Sequence, residues 1–126
     1  MPAAWPPMAP LVDELLGTPY EQMDCWGLLA ALLQRGFGLD LARDAECLNR
    51  EFVEVWFAGD ARPLETLLQP WDVLICSMYG LVGDHCGVAM NGTQFVHARG
   101  KAGVAIERLH RWEEKVLQIA RLRRLV

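Results

Sequence analysis

Three residues carry the chemistry this sequence can offer. Cys25 follows Asp24 and opens an apolar stretch that runs to Leu33. That pattern predicts a buried helix with Asp24 as its N-cap and Cys25 in its first turn. The positive end of the helix dipole favours thiolate over thiol there, and the thiolate is the nucleophile. His85 and His97 flank Asn91-Gly92, a hairpin signal that brings them together. A cysteine nucleophile needs a base within hydrogen-bond reach and a third group that fixes the base's tautomer. Cys25, His85 and His97 can fill these roles in that order, a second imidazole serving as the orienting group. Taken singly, each has a plainer reading as a packed cysteine or a structural histidine. Their occurrence together favours chemistry. His110, the third histidine, lies in the charged stretch 107–115 and reads as a surface residue.

Elements must place these groups. A short helix is expected over Pro10–Leu16, ended by Gly17, with Thr18-Pro19-Tyr20 as a turn. The Cys25 helix stops at Gly36 and Gly38. Ala45, Leu48, Phe52, Val55 and Trp56 fall at helical spacing and predict an amphipathic helix over 43–57, with a further turn or two over Pro63–Leu68. From Trp71 the character changes. Asp72–Cys76, Cys86–Met90, Thr93–Ala98 and Gly103–Glu107 read as strands, and Val116–Leu125 fits either a helix or a last strand. Helices first and strands later give an α+β fold, one helical half against an antiparallel sheet. Gly27 and Gly87 suggest that helix and sheet pack closely. Loop length decides whether the histidines meet. A two-residue Asn91-Gly92 turn would pair Cys86 with His97 and turn His85 away. A three-residue loop, Met90 to Gly92, with Gly92 left-handed and a bulge, would pair Ala89 with Thr93. His85 would then face His97 directly, with Gly87 and Ala89 leaving room for the Cys25 helix. The odd loop is the expectation.

Length and composition bound the rest. The chain has 126 residues, 52% of them hydrophobic, which suits one compact domain. Net charge is −4, from 12 Lys+Arg and 16 Asp+Glu, which argues against a nucleic-acid partner. The cluster Arg121, Arg123 and Arg124 reads as a solvated face or strand edge. No apolar run is long enough for a membrane span. Residues 1–10 contain four prolines and no signal-peptide pattern. They read as an extended arm ahead of a domain over 11–126, in a protein made in the cytoplasm, where Cys25, Cys47, Cys76 and Cys86 stay free thiols. No CxxC pair is present, and neither metal nor cofactor is called for.

The residues also resemble a known family. Gly17-Thr18-Pro19-Tyr20 and Asp24-Cys25-Trp26-Gly27-Leu28 resemble the nucleophile region of the NlpC family of papain-like cell-wall peptidases. Asp72-Val73-Leu74 is similar to the strand after that family's Pro-Gly-Asp turn, with Trp71 in place of the glycine. His85-Cys86-Gly87-Val88 is similar to its His-Val-Gly-Ile motif, and Phe95-Val96-His97-Ala98 to its third-residue motif. The likeness runs in order from about Gly17 to Glu107. The Cys-Trp-Gly-Leu form resembles the NlpC-like proteins of bacteriophage tails. The resemblance implies a papain-like α+β domain that cleaves a peptidoglycan stem-peptide bond next to D-glutamate and a diamino acid. It implies a catalytic set of Cys25, His85 and His97, and Tyr20, Asp24 and Trp26 on the oxyanion and substrate side, with the Tyr20 hydroxyl toward the oxyanion hole. It also implies phage tail proteins as partners and a virion setting that acts in the periplasm or cell wall.

A cysteine hydrolase of peptidoglycan is the reading this supports. A non-catalytic tail assembly protein on the same fold stands beside it, as does another Cys-His acyl hydrolase or transferase, such as an amidase or thioesterase. A metal site of His85, Cys86 and His97 fits less well, because adjacent strand residues point to opposite faces.

Overall fold

The computed structural model describes residues 5–40, the backbone of 50–53, and residues 67–78 and 84–122. Two helices come first, α1 (Ala9–Leu15) and α2 (Cys25–Phe37). Both ends of α2 are closed. Asp24 Oδ1 accepts the Gly27 N–H at 2.7 Å, and Gly38, at φ 69°, donates its N–H to the carbonyls of Gln34 and Leu33. Leu28, Leu29, Leu32 and Leu33 form one buried stripe along α2.

Six strands follow: β1 (Arg50–Val53), β2 (Val73–Cys76), β3 (His85–Ala89), β4 (Gln94–Arg99), β5 (Gly103–Arg108) and β6 (Val116–Leu122). They form one antiparallel sheet in the order β1-β6-β2-β3-β4-β5. Side chains alternate between two cores. On one face Val73, Val88, Val96, Ala98, Val104 and Ala120 pack under α1 and α2. On the other Leu74, Ala89, Phe95, Val116 and Ile119 pack under Leu109 and Trp112. Apolar residues on both faces explain why β2 reads as a continuous apolar run. Among the described residues no helix is long and apolar enough to cross a membrane.

The structure corrects the helix expected over 43–57. Residues 50–53 are β1, with Phe52 across from Ala120 and Val53 across from Ile119. Pairing along the edge of β6 overrides a helical period carried by few residues. The remainder of 43–57, and residues 63–66 of the turn expected over Pro63–Leu68, lie outside the described residues. The ambiguous last segment is a strand through Leu122.

Two departures from simple expectation surround the start of β2. Trp71 adopts φ 74°, the region normally kept for glycine. The backbone cost, on the order of 1–2 kcal/mol, is offset by the ring. Trp71 is buried, its Nε1 donates to the Pro6 carbonyl at 2.9 Å, and its ring meets Phe37 edge-on at 4.8 Å. Gly36 leaves the room, since a Cβ there would come within 2.8 Å of the indole. Next to it, fully buried Asp72 accepts from Nε and a terminal nitrogen of Arg121, both at 3.0 Å. Arg121 also donates to the Leu67 carbonyl at 2.8 Å. Arg121 is therefore a structural anchor between β6 and the entry to β2, not part of a solvated basic face. Arg123 and Arg124 lie outside the described residues.

Candidate active site

The β3–β4 hairpin sets the histidine geometry. Its register pairs Val88 with Val96 and Ala89 with Phe95, and the Met90 N–H donates to the Gln94 carbonyl at 2.9 Å. The loop is thus three residues, Asn91 to Thr93, one position later than expected. Gly92 is not left-handed. Asn91 builds the turn instead: its Oδ1 accepts the N–H groups of Thr93 and Gln94, both at 2.9 Å. An odd loop keeps His85 and His97 on one face, but this register places Gly87 opposite His97 and makes His85 its diagonal neighbour. The diagonal is short enough for contact, and His85 Nε2 lies 2.8 Å from His97 Nδ1. Both rings are buried.

The helix lies on the other side from where the sequence put it. α2 packs on the Cys86, Val88, Val96 and Ala98 face, not on the Gly87 and Ala89 face. A Cβ at Gly87 would strike the Phe95 ring at 2.7 Å, and one at Gly27 would meet its own cap, Asp24 Oδ1, at 3.1 Å. The two glycines therefore do not face each other. His85 acts on Cys25 where the first turn of α2 meets the first residues of β3. Cys86 Sγ lies 3.5 Å from the Cys25 carbonyl oxygen, so the two elements meet end to side.

Cys25 is held far from an ordinary thiol. Its pKa falls from 9.0 to about 4, first through a hydrogen bond from the Cys86 thiol, then through one from the His85 ring; partial burial opposes both. Cys86 is pushed up by that same hydrogen bond and by its own burial. Of the two neighbouring sulfurs Cys25 ionises first, because Cys25 also has the imidazole. Cys76, buried on β2, is raised to about 12, chiefly by desolvation. His97 is lowered from 6.5 to about 4 by burial and then by the charge of His85 and so remains neutral at neutral pH.

Three residues of the site escaped the sequence reading. Cys86 lies on the helix-facing side of β3, so it touches the residue at the head of α2. Trp112 covers the histidines, 4.8 Å from His97 edge-on and 6.4 Å from His85 stacked, with Arg99 over its ring at 5.5 Å. Glu107, on β5, places Oε1 3.5 Å from His97 Nε2 and 3.2 Å from an Arg99 nitrogen. Only the register of β5 against β4, His97 across from Ala105, brings Glu107 near.

The remaining expected site residues precede or open α2. Asp24 spends one carboxylate oxygen on the Gly27 N–H. Trp26 is 55% exposed and follows Cys25 in sequence, and Tyr20 is 36% exposed in the turn before α2. That turn is tied to the sheet: Val104 N–H donates to the Thr18 carbonyl at 3.0 Å, and Gly17 N–H to the Val104 carbonyl at 2.9 Å. Gly103, at φ 63°, permits this approach, because a Cβ there would collide with the Thr18 carbonyl.

Comparison with known proteins identifies the family and the fold. A sequence model of the NlpC/P60 family matches residues 14–121. The fold is similar to the crystal structure of the NlpC/p60 domain of the peptidoglycan hydrolase SagA, with a TM-score of 0.60 and 17% identity over 92% of this chain and 97% of that one. No curated protein sequence matches the chain. The chain belongs to the NlpC/P60 family, and its fold is the papain-like α+β fold of that group.

Proposed function

We propose that this member of the NlpC/P60 family is a cysteine peptidase that cuts a peptide bond in peptidoglycan stem peptides. The observation that carries the reading is the buried His85–His97 pair, 2.8 Å between ring nitrogens, with His85 and Cys86 both favouring the ionised form of Cys25. Cys25, poised as thiolate, attacks the scissile carbonyl. The first-turn N–H groups of α2 have no carbonyl four residues earlier within the helix, so the Cys25 N–H is suited to hold the oxyanion, with the Tyr20 hydroxyl as its partner. His85 protonates the leaving amine, then takes a proton from the water that clears the acyl-enzyme, and His97 keeps its ring oriented. Exposed Trp26 offers an apolar platform for the substrate beside the nucleophile. The Cys-Trp-Gly-Leu signature supports a phage-tail setting, in which tail proteins would be the partners. The test is mass spectrometry of peptidoglycan digested with the wild type and with Cys25→Ala, run beside a panel of acyl thioesters. New stem-peptide termini with the wild type alone are expected. Thioester turnover without peptide cleavage would move the reading to a different acyl transfer.

A further inference from the structure

His97 poses an accounting problem that its partner His85 does not solve. Its Nδ1 faces His85 Nε2 at 2.8 Å. Its Nε2 is completely buried and, among the described residues, has no hydrogen-bond partner. A buried ring nitrogen left unsatisfied is costly whether it carries a proton or a lone pair. The group facing it is the Glu107 carboxylate, with Oε1 at 3.5 Å.

Two tautomers are possible for the neutral ring. With the proton on Nδ1, His97 would donate to His85 and turn a bare Nε2 lone pair toward an anionic oxygen, which is repulsive. With the proton on Nε2, the ring turns an N–H toward that oxygen, and Nδ1 is free to accept from His85. Only the second state makes His85 the donor at Nε2. Its Nδ1 is then the nitrogen left for Cys25, carrying the proton while Cys25 is a thiolate and the lone pair once that proton has been given up.

We infer that Glu107 is a positioning residue of this site, its carboxylate holding the His97 proton on Nε2 and thereby setting which nitrogen of His85 is free to act on Cys25. This rests on the peptidase reading above for its consequence in catalysis, though not for the tautomer itself. The strand register supports it. Glu107 pairs with Phe95, and Ala105 pairs with His97, so His85, His97 and Glu107 step diagonally across β3, β4 and β5 on one face. Ala105 is small and leaves the diagonal open. Arg99 binds the same Glu107 oxygen at 3.2 Å. It thus offsets part of the negative charge that would otherwise draw a second proton onto His97. Trp112 closes the row from above, and the cations of Arg99 and Lys115 lie against its ring.

The experiment reads the tautomer directly, by two-bond proton–nitrogen correlation of histidine-labelled protein near neutral pH. In the wild type, the His97 ring should show a protonated Nε2 and an unprotonated Nδ1. Glu107→Ala should convert it to a mixture or to the Nδ1–H form. Glu107→Gln, whose amide oxygen can still accept, should retain the wild-type form. In parallel, kcat on a stem-peptide substrate should fall on the order of 10²-fold in Glu107→Ala with KM little changed, and Glu107→Gln should recover most of it. A wild-type ring protonated at Nδ1 overturns the proposal with no variant needed. So does a Glu107→Ala protein that keeps both the wild-type tautomer and the wild-type kcat. Absence of peptide cleavage in the wild type, with the expected tautomer present, would sink the peptidase reading and leave the tautomer assignment standing.

Discussion

Replacing Cys86 by valine isolates one influence on the ionisation of Cys25. The Cys86 thiol supplies the leading contribution to the depressed Cys25 pKa, ahead of His85. A hydrogen bond to a charged acceptor contributes about 1.5–3 kcal/mol, and a thiol is a weak donor, so the lower part of that range applies. At roughly 1.4 kcal/mol per unit, its loss should raise the Cys25 pKa by about 1–2 units. The wild-type value is about 4; near pH 5 the thiolate fraction, and with it the alkylation rate, should fall roughly 2–10-fold, while near pH 8 the rates converge. Brief iodoacetamide labelling across a pH series, with peptide mapping at residue 25, measures this. Convergence at high pH separates ionisation from access. Cys86→Ser keeps a donor and should stay close to the wild type. If the valine variant titrates like the wild type, or the serine variant shifts as far as valine, Cys86 does not bind the thiolate and the argument fails.

Other outcomes follow from packing and titration. Trp71→Ala should cost about 3–5 kcal/mol in denaturant unfolding. Trp71→Gly should cost about 1 kcal/mol less than alanine, because φ 74° strains any residue with a Cβ; the reverse order would show no strain at that position. Asp24→Ala should lose about 1 kcal/mol by removing the cap on Gly27 N–H, whereas Asp24→Asn should lose little. Acid should destabilise the fold through His97. The unfolded ring binds a proton below 6.5, and the folded ring refuses it until about 4. Stability from this group is therefore present above 6.5 and is lost as pH falls through that window. Urea midpoints measured from pH 7 downward should show a shallower decline in His97→Asn; an unchanged slope would mean the ring is not buried neutral.

The site was legible where local rules decide. Asp24-Cys25 announced a capped helix start, and the Asn91-Gly92 region announced a hairpin whose loop had to be odd for His85 and His97 to meet. The detail failed because Asn91 caps the turn with its side chain, a choice that composition does not separate from a left-handed Gly92. Which face α2 covers could not be read from one strand's alternation, since β3 is apolar on both sides. Phe52 and Val53 suit a strand as well as a helix, and the partner that decides, β6, lies far along the chain. Glu107 and Trp112 were hidden for the same reason. Both reach the histidines only through pairing and coverage set by segments after Arg99. An acidic residue on a strand beside a histidine-bearing one is the signal that could have pointed to Glu107.

Cys86, which depresses the Cys25 pKa, follows it by 61 residues, and this has a consequence in time. A nascent chain presents residue 25 long before residues 85, 86 and 97 exist. At a synthesis rate of about 5–20 residues per second, that interval is roughly 3–12 s. Throughout it, Cys25 is an ordinary thiol, mostly protonated and slow to react. Reactivity arrives only when β3 is laid beside β2 and the end of α2, so the protein spends its vulnerable, unfolded phase disarmed.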